Sequence, residues 1–298
     1  MCSLIGNVTC ISELRDTLEK YARYDAEVLI QGETGVGKGM CARVLHELSS
    51  RQGHPFIEVN CGAIPSGLIA SELFGHTKGA FTGAISDRVG FIQQANKGTL
   101  FLDEIGDMPL ELQLHLLHFL ESKQIHQVGA SNVIDVDCRV IAASHVHLKS
   151  AIIRGEFRED LFYRLNILPL TIPPLRARGK DVLILSEYFL EDLSSGNVKN
   201  IPVEVRTKLL DHRWPGNVRE LRNVIQRAIV MCEDGKLKVS DLGLDNSEKR
   251  RSSTEQVDLD GLLETIKNNK YNMSAAARYL GISRTTLYRY VKKNDLPV

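Results

Sequence analysis

The 298-residue sequence predicts an α/β fold, a parallel sheet covered by helices on both faces. A smaller helical region and a short basic all-α module follow it. Three observations carry this expectation. Short apolar runs alternate with helix-patterned stretches through the first half of the chain. A glycine-rich segment joins the first apolar run to its helix. The C-terminal residues are helix-patterned and strongly basic.

The elements follow in order. EVLIQ at residues 27–31 is a short apolar strand that runs straight into glycines, and residues 38–48 then read as a helix. PFIEV, GTLFLDE and CRVIAAS, beginning at Pro55, Gly98 and Cys138, are further apolar runs bounded by helical stretches. Strands that alternate with helices in this way form a parallel sheet buried on both faces. After PPLRARGKD at 173–181 the strand signals fade, and 181–192, 202–212 and 217–232 look helical. DNSEKRRSSTEQ at 245–256 is polar and lacks periodicity, which reads as a linker. The expected division is an α/β nucleotide-binding part at 1–174, a helical lid at 175–244, a linker at 245–257 and a terminal module at 258–298.

Composition sets limits. Hydrophobic residues make up 43% and charged residues 25%, as in an ordinary globular chain. No apolar run approaches the roughly 20 residues that span a bilayer, and no signal peptide opens the chain, so no membrane partner is expected. Cys2, Cys10, Cys41, Cys61, Cys138 and Cys232 are scattered without a CxxC pair. That favours reduced thiols in a cytoplasm over a zinc site or a disulfide framework. The net charge of zero hides an asymmetry. From residue 267 onward Lys267, Lys270, Arg278, Arg284, Arg289, Lys292 and Lys293 face a single acid, Asp295. A basic tail on an acidic body suggests a nucleic-acid module, against the blander reading of a solvated helix face.

GETGVGKG at 32–39 follows a strand and opens a helix, the context in which a phosphate-binding loop is credible. Gly32, Gly35 and Gly37, with Glu33, Thr34 and Val36 between them, let the backbone curl so that its N–H groups face a triphosphate. Lys38 would reach the β and γ phosphates. Gly39 stands where a serine or threonine usually follows the lysine, so no hydroxyl is offered there to Mg²⁺. GTLFLDE ends a buried strand in adjacent acids, Asp103 and Glu104. Asp103 can hold Mg²⁺ through water, and Glu104 can polarise the water that attacks the γ-phosphate. Either motif alone could be a glycine-rich turn or a pair of solvated acids. Both in this order point to ATP hydrolysis.

KGAFTGA at 78–84 has little helix or strand preference and reads as a loop, with Phe81 and Thr82 flanked by Gly79, Ala80, Gly83 and Ala84. GAFTGA between the phosphate loop and the acid pair, with SELFGH at 71–76 upstream, resembles the AAA+ activators of sigma-54 RNA polymerase, the bacterial enhancer-binding proteins. LIG at 4–6, VNCGAI at 59–64, FREDLFYRLNILPLTIPPLRAR from Phe157 and WPGNVREL from Trp214 extend the resemblance over nearly the whole chain. The resemblance implies an AAA+ P-loop ATPase with a parallel sheet and an α-helical lid, assembled as a hexameric or heptameric homo-oligomeric ring. It makes Asn60 the switch partner that restrains Glu104, and Arg158 and Arg164 fingers that reach a neighbour's ATP. It makes Arg219 a lid sensor, and residues 79–84 the contact for sigma-54 within the polymerase holoenzyme, projecting toward the ring axis. Without it, Arg158 and Arg164 would read as intrachain salt bridges, and Phe81 as folding back onto the core. This chain departs from the family pattern at Gly39, commonly glutamate, and at Ser144-His145, usually Thr-Asn.

In the tail, 259–268 reads as one helix and 272–293 as helix, turn, helix, with Gly281 breaking the first and Ser283 capping the second. The last helix is expected to expose Arg284, Thr285, Thr286 and Arg289 while Leu287 and Tyr290 pack inward, with Lys292 and Lys293 for phosphates. It resembles the Fis-type helix-turn-helix domain of the same family, implying upstream enhancer DNA, double-stranded, as a partner. Two other function classes compete. One is an AAA+ unfoldase that threads polypeptide past the Phe81 loop, which the basic tail argues against. The other is a repressor with an idle ATPase, which intact Lys38, Asp103, Glu104, Arg158 and Arg164 argue against.

Overall fold

In the computed structural model, which describes residues 4–194, 200–232 and 235–244 together with Met273 and Leu287, the chain divides into two units, Met1–Gly243 and Leu244–Val298. The first unit runs α1 (Thr9–Ala22), β1 (Val28–Gln31), α2 (Lys38–Glu47), β2 (Phe56–Asn60) and α3 (Ser66–Phe74). A short hairpin of β3 (Gly75–His76) and β4 (Arg88–Val89) follows, then α4 (Phe91–Gln94), β5 (Thr99–Asp103) and α5 (Leu110–Ser122). A second hairpin of β6 (Gln124–His126) and β7 (Val133–Asp135) precedes β8 (Arg139–Ser144), α6 (Leu148–Ile153), α7 (Glu159–Leu165) and β9 (Leu168–Thr171). Three longer helices close the unit: α8 (Asp181–Ser194), α9 (Val203–Asp211) and α10 (Asn217–Met231).

Five of the strands form one parallel sheet in the order β2-β5-β8-β1-β9. Successive side chains of its central strands enter opposite cores, which is why those strands read as unbroken apolar runs. Leu29, Leu100, Leu102, Val140 and Ala142 pack with α3, α5 and α7 on one face. Val28, Ile30, Phe101, Ile141 and Ala143 pack with α1 and α2 on the other. Each large side chain so buried stabilises the fold by about 1.5–3 kcal/mol relative to exposure.

The strand β9 lies at the sheet edge and contains Pro169. Its proline cost the segment its strand signature, yet an edge strand tolerates a residue without an N–H.

The helical region packs α8 against α10. On α10 the buried Leu221, Val224, Ile225 and Ala228 recur at helical spacing and face the buried Val182, Leu185 and Phe189 of α8. Trp214 is fully buried and donates its indole N–H to the Leu209 carbonyl at 2.9 Å, whereas Pro215 is exposed. The start of α8 is also tied to the N-terminal segment. Buried Asp181 accepts the Asn7 N–H at 2.8 Å, and Arg178 donates to the Ile5 carbonyl at 2.7 Å.

Candidate nucleotide site

Parallel strands place their carboxyl ends on one edge, and the register aligns Gln31 with Ser144 and Asn60 with Asp103. The predicted phosphate loop, the acid pair and Ser144 therefore meet through the sheet order alone. A cavity of about 550 Å³ opens at this edge. Gly35, Gly37, Lys38, Gly39, Glu58, Asp103 and Glu104 line it from the sheet side, and Tyr188, Phe189, Arg219 and Arg222 from the helical region.

The loop leaves β1 at Gly32, whose N–H donates to the Ser144 carbonyl at 3.3 Å. Gly37 occupies the left-handed region at φ +106° just before α2, a conformation only glycine adopts readily. Gly35 is left-handed too, at φ +80°, and a Cβ there would come within 2.3 Å of the Gly216 carbonyl oxygen. Its absence lets the helical region close on the loop.

Lys38 is buried at the mouth of α2 and donates to the Gly32 carbonyl at 3.2 Å and to Glu104 Oε1 at 3.4 Å. Glu104 itself sits at φ +52°, an uncommon conformation for a residue with a side chain. Its Oε2 accepts the backbone N–H of His145 at 3.1 Å and the His145 ring Nδ1. Burial pushes the Glu104 carboxyl upward, but the hydrogen bond from His145 and the charge of Lys38 outweigh it and hold the group below its ordinary range. Asp103 moves the other way. Burial and the neighbouring Glu104 charge raise it, and Lys38 offsets them only in part.

Asn60 stands at the end of β2 beside Asp103 but does not hold Glu104. Its side-chain oxygen accepts the N–H groups of Gly62 at 3.0 Å and Ala63 at 3.1 Å, a local turn that competes for the amide. In this structure Glu104 is held instead by His145 at Oε2 and by Lys38 at Oε1.

The helical region reaches the loop through contacts that the sequence reading did not single out. Asn217, fully buried at φ +52°, accepts the Leu175 N–H at 2.8 Å and donates to Glu33 Oε2 at 3.2 Å and the Thr34 carbonyl at 3.0 Å. Arg176 forks onto Glu33, with one N–H at 2.7 Å. Those hydrogen bonds, Arg176 first and Asn217 second, lower the Glu33 pKa to about 2. Arg219 lines the cavity with its side chain and donates its backbone N–H to the Gly35 carbonyl at 3.2 Å. WPGNVREL was visible as a motif, but Asn217 touches a segment more than 180 positions earlier, and no local pattern marks that.

The other predicted residues lie elsewhere. Residues 78–84 form a turn closed by the Gly79 N–H to the Ala84 carbonyl at 2.9 Å, with Gly79 and Gly83 at positive φ. Thr82 is exposed, and Phe81 is 38% exposed with its ring edge-on to buried His76 at 5.0 Å. The ring thus sheds part of its water against a neighbour in this chain. Neither Arg158 nor Arg164 lines the cavity. Arg158 forks onto Asp160 at 3.1 and 2.6 Å at the start of α7. Arg164 donates to the Leu120 carbonyl at 2.9 Å and pairs with Glu27 at 3.5 Å, just before β1 and so at the opposite end of that strand from the phosphate loop. Arg284, Thr285, Thr286, Arg289, Lys292 and Lys293, with the expected linker, lie outside the described residues. Met273 and Leu287 are helical and buried, and the inward placement was expected for Leu287. Among the described residues no helix is long and apolar enough to cross a membrane.

Comparison with known proteins matches residues 4–171 to the Sigma-54 interaction domain, 176–259 to the AAA+ ATPase lid domain and 253–293 to the Fis family of bacterial regulatory proteins. The chain is 40% identical to the response regulator PilR of Pseudomonas aeruginosa, over 97% of this chain and 69% of PilR. It is 41% identical to the sigma-54-dependent transcriptional activator SfnR of Pseudomonas putida, over 94% of this chain and 78% of SfnR. A crystal structure of NtrX from Brucella abortus in complex with ATP superposes with a TM-score of 0.74 at 32% identity, covering 98% of this chain and 69% of NtrX.

Proposed function

This chain belongs to the sigma-54-dependent transcriptional activators, and from that premise we propose how its residues divide the work of an AAA+ ATPase that opens promoters. The supporting observation is the convergence of Lys38, Asp103 and Glu104 on one cavity whose other wall carries Arg219 and Arg222 alongside Asp192.

ATP occupies that cavity with its phosphates against the N–H groups of residues 35–39 and the Lys38 ammonium. Asp103 and Glu58 present hard oxygen donors on the cavity wall, a donor set that fits Mg²⁺, while Gly39 contributes no hydroxyl. When bound, Mg²⁺ supplies neutralisation of the phosphate charge. Glu104 accepts a proton from the attacking water as it forms its bond to the γ-phosphorus, while the bond from that phosphorus to the β,γ-bridging oxygen breaks and ADP leaves. Asn60 holds the turn after β2 in register beside Asp103. Arg219 senses the nucleotide from the helical side.

Arg158 and Arg164 act on the ATP of an adjacent subunit in a homo-oligomeric ring, hexameric or heptameric. Neither lines its own chain's cavity, and an arginine supplied in trans couples hydrolysis to assembly. Residues 79–84 grip sigma-54. Phe81 leaves His76 to do so, at the modest cost of one edge-on aromatic contact. Arg284, Thr285, Thr286 and Arg289 read enhancer DNA, Lys292 and Lys293 bind its phosphates, and the protein works in the cytoplasm. The match of residues 253–293 to the Fis family favours this reading over a polypeptide unfoldase.

In-vitro transcription compares sigma-54 holoenzyme with the housekeeping holoenzyme in the presence of ATP. Open complexes should form with the first and not the second. Equal activity on both, or on neither while ATP is hydrolysed, would refute the proposal.

A further inference from the structure

Glu104 pairs with His145, the residue that follows β8. We propose that His145 is a positioning residue that restrains Glu104 in the resting enzyme, so that hydrolysis requires the His145 contact to open. This rests on the assignment of Glu104 as the base that receives the proton of the attacking water.

The geometry carries the argument. A carboxylate oxygen offers about two lone-pair directions. Glu104 Oε2 has both engaged by one residue, the His145 backbone N–H at 3.1 Å and the His145 ring Nδ1. Oε1 faces Lys38 at 3.4 Å. Nδ1 donates in the tautomer that carries its proton there. The backbone donor is fixed independently. Buried Ser144 accepts the Val146 N–H at 3.1 Å and donates to the Val146 carbonyl at 2.9 Å, a tight turn that aims the N–H of His145 at Glu104. The Ser144 carbonyl in turn accepts the N–H of Gly32, the first residue of the phosphate loop. A phosphate that draws Lys38 away leaves His145 as the remaining side-chain partner of Glu104. Asn60 is occupied with Gly62 and Ala63, so the restraint falls to His145.

The test is steady-state ATP hydrolysis by the full chain without sigma-54. His145→Ala should raise kcat about three- to tenfold, the factor for one hydrogen bond of ordinary net strength that no longer has to break. KM for ATP should change little, because the ring does not line the nucleotide cavity. His145→Asn, whose amide can donate to the same oxygen, should return kcat most of the way to the native value. In a Glu104→Gln background, His145→Ala should have no effect on the residual rate. A kcat for His145→Ala at or below native, or a gain that persists without the Glu104 carboxylate, overturns the proposal. If alanine lowers the melting temperature enough to obscure the rate, His145→Phe keeps the ring volume and removes the donor, and the same outcomes decide. Near-native turnover by Glu104→Gln alone would instead show that the base itself is misassigned.

Discussion

Replacing Asn217 by alanine tests how firmly the helical region is latched to the phosphate loop. The side chain is fully buried and makes three hydrogen bonds, to Leu175, Glu33 and Thr34. Removing it leaves the Leu175 N–H without its acceptor in a closed site, a loss of about 1–3 kcal/mol. The position also lies at φ +52°, where alanine carries about 1–2 kcal/mol of backbone strain that asparagine tolerates better. Together these predict a destabilisation of about 3 kcal/mol, or about 6–12 °C in Tm for a unit of this size.

Thermal and denaturant melts of the native chain and the variant read this directly, and Asn217→Gly separates the two contributions. Glycine loses the same hydrogen bonds but relieves the strain, so it should melt above the alanine variant by about 1 kcal/mol. Both should raise KM for ATP, since Arg219 and Gly216 meet Gly35 from the same helix start. An alanine variant within about 1 kcal/mol of native would refute the latch, because one stranded buried donor alone exceeds that in most contexts.

Three further outcomes follow from the same geometry. Glu33 has a folded pKa of about 2 against an ordinary 4.5. Its pairing therefore stabilises fully above pH 4.5 and is lost as pH falls toward 2, so Glu33→Gln should flatten the acid decline of Tm in that window. An unchanged decline would show that the Arg176 fork contributes nothing in solution. Phe81→Ala should keep most ATP turnover, because the loop lies outside the cavity, yet abolish open-complex formation; a variant that still opens promoters sinks the contact role. Arg158→Ala and Arg164→Ala should each be nearly inactive, and mixing either with a Lys38 variant should restore some hydrolysis at complementary interfaces. Mixed rings that never exceed the sum of their parts would remove the trans assignment.

Of the four strands legible in the sequence, β1, β5 and β8 are buried on both faces, where a continuous apolar run is unmistakable, whereas β2 lies at the sheet edge with only Val59 buried. β9 was hidden by Pro169, and β3, β4, β6 and β7 are two or three residues long, too short to show a period. The chemistry of the site was legible where one motif contains it, as in residues 32–39 and in Asp103-Glu104. It was illegible where partners come from distant segments. Glu104 and His145 are 41 positions apart and Asn217 is 184 from Glu33, so the sheet order and the closure of the helical region join them. The same limit explains Asn60, whose family role was carried over by motif while its side chain here is taken up by its own turn.

A chain of contacts joins the edge that holds the acids to the loop at residues 78–84. The Cys61 N–H donates to the Asp103 carbonyl at 2.9 Å, so the turn after β2 continues the edge that holds the acids. A Cβ on Gly62 would lie 2.7 Å from the exposed Asp107 carboxylate, so the turn touches the segment after Glu104. The turn feeds α3, where buried Ser71 bonds His76 at 2.6 Å, and His76 carries the Phe81 ring. Packed segments of this kind move together or not at all, but adjacency by itself is not coupling. The distinction is measurable at Gly62. Gly62→Ala forces the Asp107 contact without touching a phosphate ligand, so a coupled edge should lose promoter opening more than it loses hydrolysis. Parallel losses of the two would place the effect at the nucleotide and leave the route to Phe81 without support.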